Sequence, residues 1–332
     1  MEPVMRQLTG YAMSAIVIAA VAFAFAPRQP APLAVTQILA DRVQVNALLS
    51  TDDRLIAVGE RGTLLTSRDR GHSWQASEVG GGRAATLTGV IALSPQVLVA
   101  VGHDGWILRS QDGGQRWQET HQDASLGEPL LGVWSGDGQQ VVAYGSYGKF
   151  LVSTDAGVHW TAREMPGDGA HFNGLDGGRD GRQMLVGEQG LVLRSSDGGQ
   201  QWQQLPSFYN GSLFGVVRLS ASRWVTYGMR GHVFTSGDFG ETWQRIDVGS
   251  DQPIYGHARL PEDAGLVLVG AGSRLIRLDA QGNLVAIDQR QGLGTLTSAV
   301  GLNPRHLVVA GERGVYQGAQ QRLASASQEQ QP

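Results

Sequence analysis

"SRDRGHSW", residues Ser67–Trp74, sets four residue types in the frame Ser-x-Asp-x-Gly-x-x-Trp. The frame returns as SQDGGQRW (Ser110–Trp117), STDAGVHW (Ser153–Trp160), SSDGGQQW (Ser195–Trp202) and SGDFGETW (Ser236–Trp243). A second marker, Gly-x-x-Gly, precedes each copy, starting at Gly59, Gly102, Gly145, Gly187 and Gly228. It continues past the last Trp as GAGS (Gly270–Ser273) and GERG (Gly311–Gly314). Gly59 and Gly311 lie six steps apart, a mean step of 42 residues. That period with strand-like content denotes a propeller blade of four strands.

Seven markers predict an all-β, seven-bladed β-propeller of four-stranded antiparallel blades. In the third copy, LLGVWS (Leu130–Ser135) reads as the inner strand and VVAYG (Val141–Gly145) as the second. KFLVS (Lys149–Ser153) and HWTARE (His159–Glu164) follow as third and outer strands. Unbroken apolar runs such as VVAYG fit a strand covered on both faces. Small or short residues recur in the inner strands at Asn46, Gly89, Gly132, Gly174, Gly215, Gly256 and Ser298, where backbones converging on an axis leave little room. The seventh copy lacks an outer strand. LAVTQIL (Leu33–Leu39) is expected to supply it, closing the last blade with the N-terminal strand and protecting a sheet edge. The expected domains are a signal peptide or membrane anchor over 1–26, a linker over 27–32, the propeller over 33–321 and a disordered tail over 322–332.

Each residue of the eight-residue phrase has a turn-building reason. Ser and Asp side chains accept hydrogen bonds from backbone N–H groups of a tight turn. Gly supplies a positive φ without steric cost. Trp opens the outer strand and fills the gap between sheets, contributing about 2–3 kcal/mol by burial. The structural positions are Asp69 and Trp74, Asp112 and Trp117, Asp155 and Trp160, Asp197 and Trp202, and Asp238 and Trp243. Fivefold repetition argues against catalysis by the phrase, since catalysis needs one unique constellation. The phrase resembles the Asp box of BNR-repeat propellers. The sixth copy departs from it: Asp279 keeps the Asp, but Arg277, Gln281 and Leu284 hold the Ser, Gly and Trp slots. The chain is most similar to the photosystem II stability/assembly-factor-like family. The resemblance implies a non-enzymatic scaffold that binds membrane-protein assembly intermediates.

The chain has no Cys, which excludes disulfides, thiolate catalysis and thiolate metal sites. Its formal net charge of −4 argues against wholesale electrostatic binding of nucleic acid. The eight His are scattered without metal-ligand spacing, so no metal and no cofactor is expected. Tyr11–Ala26 is uncharged and apolar, with Arg6 before it and a Pro-rich PRQPAP after it. This is the pattern of an export signal, cleaved or retained, and makes residues 8–26 the candidate membrane-associating segment. The expected location is therefore the periplasm, or the inner membrane facing it.

Candidate chemistry is sparse. Asp52–Asp53 falls in a short turn and reads as solvated. His103–Asp104 occupies a generic turn slot. The Gly-x-x-Gly turns precede no helix and are not phosphate loops. A binding surface is better supported. Arg61, Arg230 and Arg313 occupy one slot of these turns, and Arg274 lies two residues beyond it in the sixth. Closing the ring makes these four copies consecutive, so they form a basic arc on one rim that suits acidic segments of a partner protein. Tyr147, Phe208, Tyr209 and Tyr255 add aromatic material to the same face or to the channel mouth. The expected function is an exported scaffold whose partner is a membrane-protein complex or its assembly intermediate. A secreted sialidase-like or other glycoside hydrolase and an accessory module of an envelope transport system are the alternatives.

Overall fold

A computed structural model describes residues 2–25, 40–81, 84–123 and 127–319. It divides into two units, residues 1–37 and 38–332. The first holds one helix, Glu2–Phe25. Leu8, Ile16, Val17, Ile18 and Val21 are exposed on it. Among the described residues, no helix is long and apolar enough to cross a membrane.

The second unit is a seven-bladed β-propeller. The inner strands of its blades are Val45–Ser50, Leu87–Ala92, Leu130–Ser135, Phe172–Gly177, Leu213–Arg218, Ile254–Arg259 and Leu296–Asn303. Each pairs antiparallel with a second strand that ends at the first Gly of a Gly-x-x-Gly turn. In blades one to six the second strand is a five-residue run buried throughout, from Leu55–Gly59 to Leu266–Gly270, as a strand sandwiched on both faces requires. The outer strands are short and exposed in blades one, three, four and five, such as Thr161–Ala162 in blade three. The six residues expected in blade three shrink to two, and the Asp box keeps His159 and Trp160 in its turn, through the His159 N–H to Asp155 and the Trp160 Nε1–H to Gly157.

Two outer strands are longer, Arg116–His121 in blade two and Leu284–Gln289 in blade six. Blade two carries an unexpected fifth strand, Glu78–Val79, parallel to Arg116–Trp117. Blade seven has three described strands, ending with Gly314–Ala319. The segment expected to complete it, Leu33–Leu39, lies outside the described residues, as does the tail over 322–332. The first described residue after that segment, Ala40, accepts a 3.0 Å hydrogen bond from the Val315 N–H.

The core is a set of layers between blades. One cluster joins Ile56 and Val58 of blade one to Leu98 and Trp106 of blade two. Equivalent clusters follow around the ring, and the last joins Val308 and Ala310 of blade seven to Val45 and Leu55 of blade one. Among the described residues every core cluster spans two blades, so each blade is stabilised by its neighbours.

The Asp-box geometry is uniform. The Ser hydroxyl donates to the Asp Oδ1 at 2.7–2.9 Å in all five copies and accepts the Gly N–H. The same Asp oxygen accepts the N–H four residues on, at 2.9 Å in each copy. Gly71, Gly114, Gly157, Gly199 and Gly240 take φ of 83–90°, where a side chain is strained. Trp74, Trp117, Trp160 and Trp202 donate Nε1–H to that Gly's carbonyl at 3.0–3.2 Å. In blade six Asp279 still accepts the N–H groups of Gln281 and Asn283, but Leu284 stays 39% exposed in the Trp slot.

Candidate docking face

Antiparallel pairing puts the Gly-x-x-Gly turns beside the start of each inner strand and the Asp boxes at the opposite end. The first turn Gly is fixed by close approach. A Cβ on Gly59 would stand 2.0 Å from the Gln44 carbonyl oxygen, and on Gly145 2.1 Å from that of Pro129. The second Gly ties the turn to the next blade: the N–H groups of Gly62, Gly105, Gly148 and Gly190 donate to Ala85, Glu128, Ala170 and Gly211. In GAGS, buried Ser273 replaces that Gly, and its hydroxyl donates to the Gly294 carbonyl at 3.0 Å.

Held at both ends, the turn forces its third residue into the left-handed region. Arg61, Asp104, Tyr147, Gln189 and Arg230 have φ of 54–58°, and Gly272 has 67°. All six are exposed. The fold thus raises five side chains, one from each of blades one to five, off one face around the channel mouth. Among the described residues neither Arg61 nor Arg230 has an ion-pair partner.

The other expected residues are placed differently. Blade seven closes with a two-residue turn, Gly311 pairing Gly314, so Arg313 does not share the left-handed slot. It is exposed, with one guanidinium nitrogen donating to the Gly292 carbonyl at 2.9 Å. Arg274 is half-buried and donates to the Val248 carbonyl at 3.0 Å. Phe208 is half-buried, stacked on Trp243 at 5.0 Å. Tyr209 packs against His232 and donates its hydroxyl to the Met229 carbonyl. Tyr147 is 64% exposed and meets the edge of His171 at 4.7 Å. Tyr255 is 41% exposed and stacks on Phe214 at 5.4 Å.

The channel between the inner strands has a volume of about 350 Å³ and is lined by all seven blades. Every inner strand carries a bulge one residue after its start. The bulged residues are Asn46, Thr88, Leu131, Asn173, Phe214, Tyr255 and Thr297, and they form the mouth. Four of them donate to the first inner-strand carbonyl of the next blade: Asn46 to Leu87, Thr88 to Leu130, Asn173 to Leu213 and Thr297 to Val45, at 2.6–2.9 Å. The small residue in register is the one after the bulge. In blade one this is Ala47, not Asn46, because the bulge inserts a residue before it. Crowding by the next backbone explains Gly174 and Gly256, whereas Gly132 and Gly215 make room for the hydroxyls of Tyr144 and Tyr227.

Deeper in the channel the Tyr227 hydroxyl and His257 Nδ1 lie 2.7 Å apart. Burial pushes the His257 imidazole down to about 4, so it is neutral at pH 7, and pushes the Tyr144 and Tyr227 phenols well above their usual range. Asp176 is the one carboxylate among the channel-lining residues. It accepts the Arg218 N–H at 2.7 Å and pairs with Arg259. A two-carboxylate glycosidase arrangement is not built from these groups. Asp53 is held by Arg54 at 2.5 Å, and His103 and Asp104 lie exposed in their turn. Phe214 and the bulge donors were not among the expected site residues. Their signal is the residue just before each small inner-strand residue.

Comparison with known proteins agrees with this architecture. YCF48 from Cyanidioschyzon merolae is 15% identical, with a TM-score of 0.66, covering 85% of this chain and 97% of that one. The structure of YCF48 bound to D1 peptide is 18% identical, with a TM-score of 0.65 and coverage of 82% and 92%. The WD40 propeller of Doa1 reaches a TM-score of 0.64 at 12% identity, covering 83% and 92%, so these likenesses speak to the fold alone. No curated protein matches the chain. The sequence pattern of the photosynthesis system II assembly factor YCF48 matches residues 95–289, more than half of the chain. With the seven blades and five Asp boxes, that match makes the chain a member of the YCF48 assembly-factor family.

Proposed function

We propose that this propeller is a non-enzymatic binding scaffold that docks a segment of a partner protein on its Gly-x-x-Gly face. One observation carries the reading: the turns lift Arg61, Tyr147 and Arg230 off the face in a strained conformation, around a mouth carrying Tyr255 and Phe214. Strained backbone at exposed side chains is characteristic of binding sites. Guanidinium forks engage carboxylates, and aromatic rings supply rigid contact area. Family membership supports the same reading, as does the relative solved with a D1 peptide. The partner is an acidic segment of a membrane-protein complex or its assembly intermediate. The apolar N-terminal run supports export of the propeller to the periplasmic side.

The test is a crosslinking pull-down from membranes with the full chain and its Arg61→Glu/Arg230→Glu/Arg313→Glu variant. The variant should capture less of the specific partner while its melting temperature stays nearly unchanged. Equal capture by both proteins would remove the reading.

A further inference from the structure

The outer strand of blade six differs from the outer strands described in blades one to five. Leu284–Gln289 is six residues long, and its only described sheet neighbour is Arg274–Leu278. Leu284, Val285 and Ile287 are 39%, 51% and 40% exposed. Blades one, three, four and five present outer strands of only two or three residues, with no large exposed apolar side chain, and a Trp that folds back on the preceding blade. Blade six has lost that Trp, and three apolar side chains stand open in its place. A bulge at Val285 interrupts the ladder at the Asp-box end, leaving Ala286–Gln289 in regular register.

We propose that this edge is a second docking site, separate from the Gly-x-x-Gly face, which takes an extended apolar segment of another polypeptide as a fifth strand. An outer strand leaves half its backbone N–H and C=O groups facing away from the sheet, and these are satisfied by a strand rather than by a helix or a lipid. The same molecule shows what covers such an edge. Blade two has the other six-residue outer strand, and there the chain itself adds Glu78–Val79 in parallel, with N–H bonds from Glu78 to Gln115 and from Gly80 to Trp117. Trp117 beneath that added strand is 1% exposed. The segment that follows blade five does not repeat the manoeuvre. Val248 turns inward, and its carbonyl accepts Arg274.

The side chains define the occupant. Leu284 pairs with buried Leu278 and Ile287 with buried Ile276, so both extend one apolar face. The incoming strand needs apolar residues at alternate positions on that face. A second copy of this edge is a poor match. End-to-end antiparallel pairing of Leu284–Gln289 with itself sets the Asp288 carboxylate opposite Val285.

The probe is a short fluorescent peptide of alternating Val and Thr, with an amphipathic Leu/Lys helical peptide as the comparison. The full chain should bind the Val/Thr peptide saturably and the helical peptide poorly. Val285→Lys/Ile287→Lys should weaken binding about tenfold or more by placing charges on the pairing edge. Arg61→Glu/Arg230→Glu should leave it unchanged, which separates this site from the other face. Because the chain has no Cys, Val285→Cys provides a unique label site, and a bimane there should shift to the blue as the peptide binds. That readout serves even where the double Lys variant does not fold. Equal binding by the Lys variant, preference for the helical peptide, an unmoved bimane, or a concentration-dependent dimer that the Lys variant abolishes would each overturn the proposal.

Discussion

Thr297 donates its hydroxyl to the carbonyl of Val45 at 2.6 Å, across 252 residues of sequence, and thereby joins the last blade to the first. The bond repeats what Thr88 does for Leu130 at an internal junction, at 2.7 Å. Thr297→Val keeps the shape, removes the donor and leaves the Val45 carbonyl short of a partner. The expected loss is about 1–2 kcal/mol, or a fall in melting temperature of about 2–4 °C for a domain of this size. Thr88→Val should cost a similar amount. Scanning calorimetry of both variants checks this, and an unchanged melting temperature would show that these side chains do not hold the ring.

Trp117 and Leu284 occupy the same slot of the repeat with opposite burial, 1% and 39% exposed. Trp117→Ala removes a ring from a packed layer and an Nε1–H bond to Gly114, for an expected loss of about 3–5 kcal/mol. Leu284→Ala removes a half-solvated side chain and should cost under about 1 kcal/mol. Urea unfolding of the two variants measures the difference. Equal losses would mean that the blade-six edge is covered in solution.

The architecture was legible because its signals are local. Four markers per repeat, the buried second strand, the two turns and the Trp, each sit within a few residues and recur at a fixed period. The features that escaped depend on a neighbouring blade. The bulge displaced the small residue of blade one from Asn46 to Ala47, since nothing local distinguishes an extra residue in a strand. Asn173 reads as an ordinary polar residue until the Leu213 carbonyl is placed beside it by the fold. Arg313 matches Arg61 in spelling, yet its turn has two residues because the strands pair through Gly311 and Gly314. Arg61 and Arg230 were found by slot alone. Their left-handed backbone follows from inter-blade ties that no single turn encodes.

The Asp boxes should give the propeller a steep acid limit. Hydrogen bonds from Ser73 and Ser67 hold the Asp69 carboxyl well below the usual range, and the His159 N–H and ring do the same for Asp155. The Gln201 N–H and the Ser195 hydroxyl lower Asp197. A carboxyl lowered in the folded state stabilises fully above its unfolded value of about 3.9, and that stabilisation is lost as pH falls below it. Melting temperature should therefore drop sharply below about pH 4. Asp155→Asn should lower stability at pH 7 and flatten the acid limb. An unchanged limb would assign it to other carboxyls.

His257 adds a shallower slope above that limit. Its imidazole is pushed down to about 4 by burial, against about 6.5 in an unfolded chain. Between those values the unfolded chain binds a proton that the folded one refuses, so stability falls as pH drops from about 6.5 toward 4. His257→Gln should remove this slope. Titration of the ring protons by NMR reads the folded value directly, and a normal value would refute the account.

Arg230 separates binding from stability at one residue. Its φ of 57° strains any side chain, at about 1–2 kcal/mol, while a Gly there would lose about 0.5–1 kcal/mol more chain entropy on folding. Arg230→Gly should therefore raise stability, by up to about 1.5 kcal/mol, the difference of those terms. Arg230→Ala keeps the strain and should leave stability near its starting value. Both substitutions remove the guanidinium, so both should weaken partner capture to the same degree. That combination, equal loss of capture with unequal stability, ties the residue to docking and its strained backbone to the turn. If Arg230→Gly and Arg230→Ala melt together, the left-handed turn stores no strain. If capture survives both, Arg230 does not contact the partner.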